Sequence, residues 1–338
     1  AGINSRKLEA LQANLLAKND PNLIGSVHYY GYWPFSVNKS GKTRFDEEVE
    51  GHIEQNLDMV QSYIIDQGFP VILGEYGLLG YDQSVEVIER GESQKFFNAL
   101  TKACEERGIP AILWDNGQHF EREKLYWRDP GLHAAIMGGF NGGSATAELD
   151  MVFMPEGTKE PAHLELDLAG HSLEDILDLS HETSLSTDLY TLEGNVLTFD
   201  PSIQELCEDR VLQLQLVFSA GAAWDVEIRL VSDPVFEDID IRTVSLTIPV
   251  QWNGHKLERV KALTASGEAI SSNWNAPYLT FFDEYKIDPE TGAVTILTPK
   301  MTQLRDETLE LTFELWNGDH YRYDVEIAEG SKVGKQVN

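Results

Sequence analysis

Over residues 23–114, short apolar runs alternate with amphipathic helical patterns, and this order limits the possible folds more than any other feature. Residues 23–30, Leu-Ile-Gly-Ser-Val-His-Tyr-Tyr, follow an Asp20-Pro21-Asn22 turn and read as a buried strand. Between 45 and 67, Val49, Ile53, Leu57, Val60 and Ile64 recur at spacings of three and four, which puts them on one helical face, and Gly68 ends the helix. A second strand at 71–75, a second helix at 92–107 closed by Gly108, and a third strand at 109–114 complete the series. Strand, helix, strand, helix, strand predicts parallel βαβ units with the helices outside.

Beyond residue 145 the pattern changes to alternating strands separated by turns, for example 164–168, 195–199, 211–218 and 224–231, with one short helix expected at 202–208. The last hundred residues repeat the style at 244–249, 257–264, 294–297, 309–316 and 321–327. These patterns predict two β-sandwiches. The run Gly138-Gly139-Phe140-Asn141-Gly142-Gly143-Ser144 reads as a linker or tight turn, and a softer boundary falls near Asp233-Pro234. The chain therefore divides into residues 1–140, 141–238 and 239–338. Charge follows the same division: 13 basic and 20 acidic side chains in the first part, 3 and 21 in the second, 10 and 15 in the third.

A net charge of −30 repels nucleic acid and anionic membranes, so neither is expected as a partner. No stretch approaches the ~20 apolar residues needed to cross a bilayer. The chain opens Ala1-Gly2-Ile3-Asn4 without Met, which suggests a removed leader or a missing start. Cys104 and Cys207 stand about a hundred residues apart with no Cys/His cluster, so neither a disulfide scaffold nor a zinc site is expected. The acidic middle block has no loop of alternating ligands and reads as a solvated face rather than a metal site. P-loop, GxSxG, HExxH and spaced GxGxxG motifs are all absent from the sequence.

In parallel α/β sheets the reactive side chains project from the carboxyl ends of the strands. Here the three ends carry His28 and Tyr30, then Glu75, then Trp114 with Asp115 and Asn116. A carboxylate leaving a buried strand is either bonded to loop amides or catalytic, and a Tyr and a His on the neighbouring end supply the partners that the second role needs. One Glu, one His, one Tyr and one Trp on successive strand ends mark a candidate site.

The segments His28-Tyr29-Tyr30-Gly31-Tyr32-Trp33-Pro34, Gly74-Glu75-Tyr76-Gly77 and Leu113-Trp114-Asp115-Asn116-Gly117 resemble strands six, seven and eight of a family 5 glycoside hydrolase, a (β/α)8 TIM barrel. The resemblance is to the bacterial endo-β-1,4-glucanase and xyloglucanase branch, with the following blocks resembling an Ig-like module and a family 46 carbohydrate-binding module. It implies that Glu75 is the nucleophile, that Tyr30 hydrogen-bonds it, that His28 positions the sugar and the acid, and that Trp114 is a platform for a pyranose ring. It places Tyr32, Trp33 and Asn116 in loops lining the cleft, whereas Trp127, His119 and again Trp33 can also be read as packing beneath those loops.

A retaining glycosidase needs a second carboxylate about 5–5.5 Å from the nucleophile. In the family that acid/base is the Glu of an Asn-Glu pair ending strand four, and no Asn-Glu pair occurs in this sequence. A whole barrel takes ~250 residues, yet only about 140 precede the first sandwich. The resemblance therefore implies a carboxyl-terminal portion whose amino-terminal barrel part, with the acid/base, is missing, and which is catalytically incomplete alone. In the last module Trp252, Trp274 and Trp316 stand beside turn residues and are expected to be open for stacking on sugar, with core packing as the alternative for each. The expected activity is endo-β-1,4-glucanase action on a β-glucan or xyloglucan, in a secreted bacterial protein needing no cofactor or metal. The other reading is a non-catalytic polysaccharide-binding protein.

Overall fold

The computed structural model describes residues 3–115, 117–242, 245–271, 276–328 and 331–337. Its three hydrophobic cores run from Leu8 to Ile136, from Ala145 to Leu230, and from Phe236 to Ile327.

In the first module the helices and strands are α1 (Ser5–Lys18), β1 (Gly25–Tyr29), α2 (Trp33–Ser36), α3 (Glu47–Tyr63), β2 (Val71–Tyr76), α4 (Arg90–Glu106), β3 (Ala111–Leu113) and α5 (Pro130–Gly139). β1, β2 and β3 form a parallel sheet in that order. Helix α3 starts where Asp46 accepts the amides of Glu48 and Val49, with Glu47, Glu48 and Glu50 in the first turn favoured by the helix dipole. Its buried stripe, Val49, Ile53, Leu57 and Val60, shares one core with Phe96, Phe97 and Leu100 of α4 and with Tyr29, Leu73 and Tyr76 of the sheet. Helices α1, α2 and α5 are additional to the elements expected; Asn4 caps α1, Asp129 caps α5, and Pro130 opens α5.

The second module is a sandwich of a five-stranded and a four-stranded sheet, and its interior alternation is plain along Val211–Phe218 and Trp224–Val231. The expected helix near 202–208 is a 3₁₀ segment, Pro201–Leu206, capped by Asp200. The third module stacks a five-stranded antiparallel sheet, which includes Leu257–Thr264, Glu307–Leu315 and His320–Ala328, on a three-stranded one. Cys104 is buried and Cys207 half-buried, both as free thiols.

The glycine-rich run is not the loose linker that its composition suggests. Gly138 and Gly139 are the last residues of α5. A Cβ on Gly138 would lie 1.9 Å from Ser144 Oγ, and one on Gly139 would lie 1.9 Å from Thr101 Oγ1. These glycines let α5 close onto α4 and onto the start of the second module. The joint is bonded as well: the Ser144 amide donates to Asn98 Oδ1 at 2.9 Å and the Ala222 amide to Ser144 Oγ at 2.9 Å. Arg90 adds a bridge to Asp225 at 2.8 Å, and Arg229 of the second module donates to the Gly254 carbonyl of the third at 2.8 Å.

Candidate active site

Strand β2 carries one residue more than its neighbours. Val27 pairs with Leu73 but His28 pairs with Glu75, so Gly74 is an unpaired bulge, and the pairing with β3 shifts over the same stretch. Bulges re-aim side chains at strand ends. Glycine fits here without adjustment, whereas a Cβ at position 74 would stand 2.7 Å from Ser26 Oγ and 3.3 Å from His28 Nε2 and make those side chains shift.

The Glu75 carboxylate comes out of this bulge beside the end of β1. The Tyr30 hydroxyl donates a short hydrogen bond to Oε2, and His28 Nδ1 lies 3.3 Å from the same oxygen. Burial, and then the bond to Glu75, push the Tyr30 phenol far above its ordinary pKa, so it stays a neutral donor. The Glu75 side chain keeps 31% of its surface accessible, which leaves room for a reacting partner. Trp114 follows β3 directly; its amide donates to the Tyr76 carbonyl at 2.9 Å and the residue is 48% exposed. Gly77 has the Tyr30 ring and the Trp114 carbonyl as its neighbours, so Tyr30, Glu75 and Trp114 converge at one end of the sheet. A carboxylate held by a phenol and an imidazole beside an open indole can attack an electrophilic carbon next to a flat apolar ring face.

The remaining candidates scatter. Tyr32 turns to α3, where its hydroxyl donates to Glu48 at 3.0 Å and its ring lies 5.3 Å from that of His52, so no bond links it to Glu75. Trp33 is partly exposed, with the Lys39 ammonium 5.4 Å from its ring. Asn116 and Trp274 lie outside the described residues. Asp115 organises its loop by accepting the amides of Gly117 and His119, and against the effect of burial these bonds hold its carboxyl below the usual range. His119 and Trp127 are packing residues, edge-on to Tyr81 at 4.8 Å and stacked on His133 at 4.5 Å respectively.

Two tryptophans of the third module correct the expectation of exposure. The Trp252 indole donates to the Gly292 carbonyl at 2.8 Å and packs edge-on against Phe236 and Phe313. The turn at Asn253-Gly254 directs it inward. Trp316 is 4% exposed, because the first module covers it: the Arg44 guanidinium sits 5.0 Å from its ring and donates to its carbonyl. Trp316 presents no free face for stacking, and Trp252 is partly buried against the core of its own module.

That cover is part of a seam the sequence patterns did not reveal. Arg44 holds Glu258 through two bonds, at 3.0 and 2.7 Å, and Thr43 donates to the same carboxylate. Arg259 donates to the Gly41 carbonyl at 2.6 Å, and Lys256 pairs with Glu89 at 2.6 Å. Arg44 and Glu258 are 214 residues apart, so no local pattern links them.

The chain thus joins a parallel sheet that ends in a held carboxylate and an open indole to two β-sandwiches. Residues 4–120 match the cellulase model of glycosyl hydrolase family 5, and residues 232–336 match the CBM46 carbohydrate-binding domain. The chain carries a family 5 cellulase domain and a CBM46 domain, and its homologues include trimodular family 5 endoglucanases. It is 33% identical to endoglucanase B of Paenibacillus lautus over 99% of its own length and 60% of that protein's. The structure of a trimodular GH5_4 subfamily endoglucanase superposes with a TM-score of 0.91 at 32% identity, over 99% of this chain and 64% of that one. Full-length trimodular endo-β-1,4-glucanase B of Bacillus halodurans gives 0.91 at 29% identity, over 100% and 64%. The chain thus spans about three fifths of the length of these relatives.

Proposed function

We propose that the first module supplies strands six to eight of a (β/α)8 barrel and, with them, the nucleophilic half of a retaining endo-β-1,4-glucanase site. The observation that carries this reading is the Tyr30–Glu75–His28 cluster on adjacent parallel strand ends. In the first step Glu75 attacks the anomeric carbon, the glycosidic bond breaks, and the leaving oxygen takes a proton from a second carboxylic acid. Water then displaces Glu75 while that second group accepts its proton. Tyr30 donates to the Glu75 carboxylate and orients it for attack, and Trp114 stacks on a neighbouring glucosyl ring. The acid/base group comes from an amino-terminal barrel part pairing with the open edges of β1 and β3. The middle module is an Ig-like spacer, and the third engages β-glucan or xyloglucan. Because such polymers cannot cross a membrane, the protein works outside the cell.

The test is turnover of carboxymethyl-cellulose and xyloglucan by the purified chain, with and without a separately expressed amino-terminal barrel part. Turnover only in the mixture is expected, since an unprotonated leaving group forfeits a factor of ~10²–10⁴. Turnover by the chain alone would overturn the division of the site. None in either case, with glucan still bound, would favour the non-catalytic reading.

A further inference from the structure

Beyond the loop that follows β2, the first and third modules line a half-open cavity of about 590 Å³. That is the size of a small-molecule site. Val87, Ile88 and Leu132 form its wall on the first module, and Leu257, Phe281 and Ile287 on the third. Val85, 48% exposed, lies at its rim.

The cations along this wall already have partners. Lys256 pairs with Glu89 at 2.6 Å, Arg90 with Asp129 at 2.9 Å and Asp225 at 2.8 Å, and Arg128 with Glu121. Glu258 is taken by Arg44 and Thr43. Burial lowers the pKa of the His119 imidazole, so that ring is neutral. An anionic ligand would lose its hydration and gain no free counter-charge. A pyranose carries several hydroxyls, and apolar walls would leave most of them unpaired. Among the described residues one polar atom at the cavity does lack a partner: Gln118 Oε1 is buried and accepts no hydrogen bond from them. With nothing holding that oxygen, the carboxamide can turn to meet a donor.

We propose that this cavity is a binding site for a neutral monophenol, its ring against the apolar walls of both modules and its hydroxyl donating to Gln118 Oε1. Apolar cavities admit small aromatic molecules readily, and the site stands whether or not Glu75 cleaves glycosides.

Isothermal titration of the full chain with 4-propylphenol tests it, with 4-propylbenzoate and cellobiose as comparison ligands. Saturable one-to-one binding of the phenol is expected at sub-millimolar concentration, with the benzoate at least tenfold weaker. Ile287→Trp, which fills the cavity, should weaken the phenol at least tenfold, and Gln118→Leu should weaken it about fivefold, the loss of one hydrogen bond. Should Ile287→Trp fail to fold by circular dichroism, Val85→Trp at the exposed rim obstructs entry instead and should give a comparable loss. The proposal is overturned if the phenol does not saturate, if the benzoate binds as tightly, if the folded filling variant leaves affinity unchanged, or if cellobiose displaces the phenol.

Discussion

The sheet end around Glu75 and the seam around Glu258 use the same side-chain types to opposite ends. Each sets a glutamate beside hydroxyl and basic partners with a tryptophan near by. At the sheet end the carboxylate has one hydroxyl donor, an imidazole at 3.3 Å and 31% of its side chain accessible. At the seam the Glu258 side chain is 5% accessible, both its oxygens are occupied by Arg44 and Thr43, and the indole is covered. A carboxylate with every acceptor site filled is a fastening; one with access and a spare acceptor site can react. The residue types do not separate the two cases. Satisfaction and exposure do.

The largest effect that would break the contrast is at Glu75. In the enzyme assembled with its amino-terminal barrel part, Glu75→Gln should lower turnover by about 10³-fold or more while oligosaccharide binding persists, because the amide keeps the shape and cannot form the covalent intermediate. A loss under tenfold, read by steady-state kinetics, would make this glutamate as structural as Glu258. Next come the two tryptophans. Trp316→Ala should cost ~3–5 kcal/mol in urea unfolding, the usual loss for a buried indole. Trp114→Ala should change stability by less than ~0.5 kcal/mol. Equal costs would erase the distinction between them.

Arg44→Ala leaves Glu258 buried with only Thr43, and because Arg44 is itself partly exposed we expect a loss of ~2–3 kcal/mol rather than the full amount for a buried pair. Arg44→Lys should recover only part of it, since the guanidinium makes two bonds to one carboxylate.

The smallest effect is pH-dependent and concerns Asp150, where the second module meets α4. Its Oδ2 accepts the Gly91 amide at 3.0 Å, and burial, then the charge of Glu89, raise its pKa from 3.8 to about 7. The folded state therefore holds a proton that the unfolded chain releases, so this group's contribution is full below about pH 4 and falls as pH rises through about 7. Asp150→Asn should narrow its stability deficit, or gain on the parent, as pH rises from 4.5 to 7.5, as measured by urea midpoints. A constant difference across that range would show that Asp150 does not titrate at the joint.

What could be read from the sequence depended on range. Helix α3, from its spacing of Val49, Ile53, Leu57 and Val60, and strands such as Val211–Phe218 and Leu257–Thr264, are set by local periodicity and fall where that periodicity places them. The grouping of Tyr30, Glu75 and Trp114 was also legible, because parallel strands put their carboxyl ends together. The bulge at Gly74 was not, since it is a shift in register against the neighbouring strands, which no local pattern of β2 records. Trp316 shows the same limit: the turn after it suggests exposure, but Arg44, far away in sequence, decides its surroundings. The glycines at 138 and 139 read as flexibility because composition cannot show that Ser144 and Thr101 lie within 2 Å of where their side chains would be.

That tight step at Gly138 and Gly139 also governs effective concentration. Seven residues behaving as a flexible tether would span roughly 15 Å root-mean-square and give an attached module a millimolar local presence in many orientations. The closed helix end, the Arg229–Gly254 contact and the Arg44–Glu258 seam join the three modules in a ring instead. If the third module engages a polymer as proposed, the strand it holds is offered along a single vector. Avidity is concentrated into that one geometry, and strands lying outside it gain none.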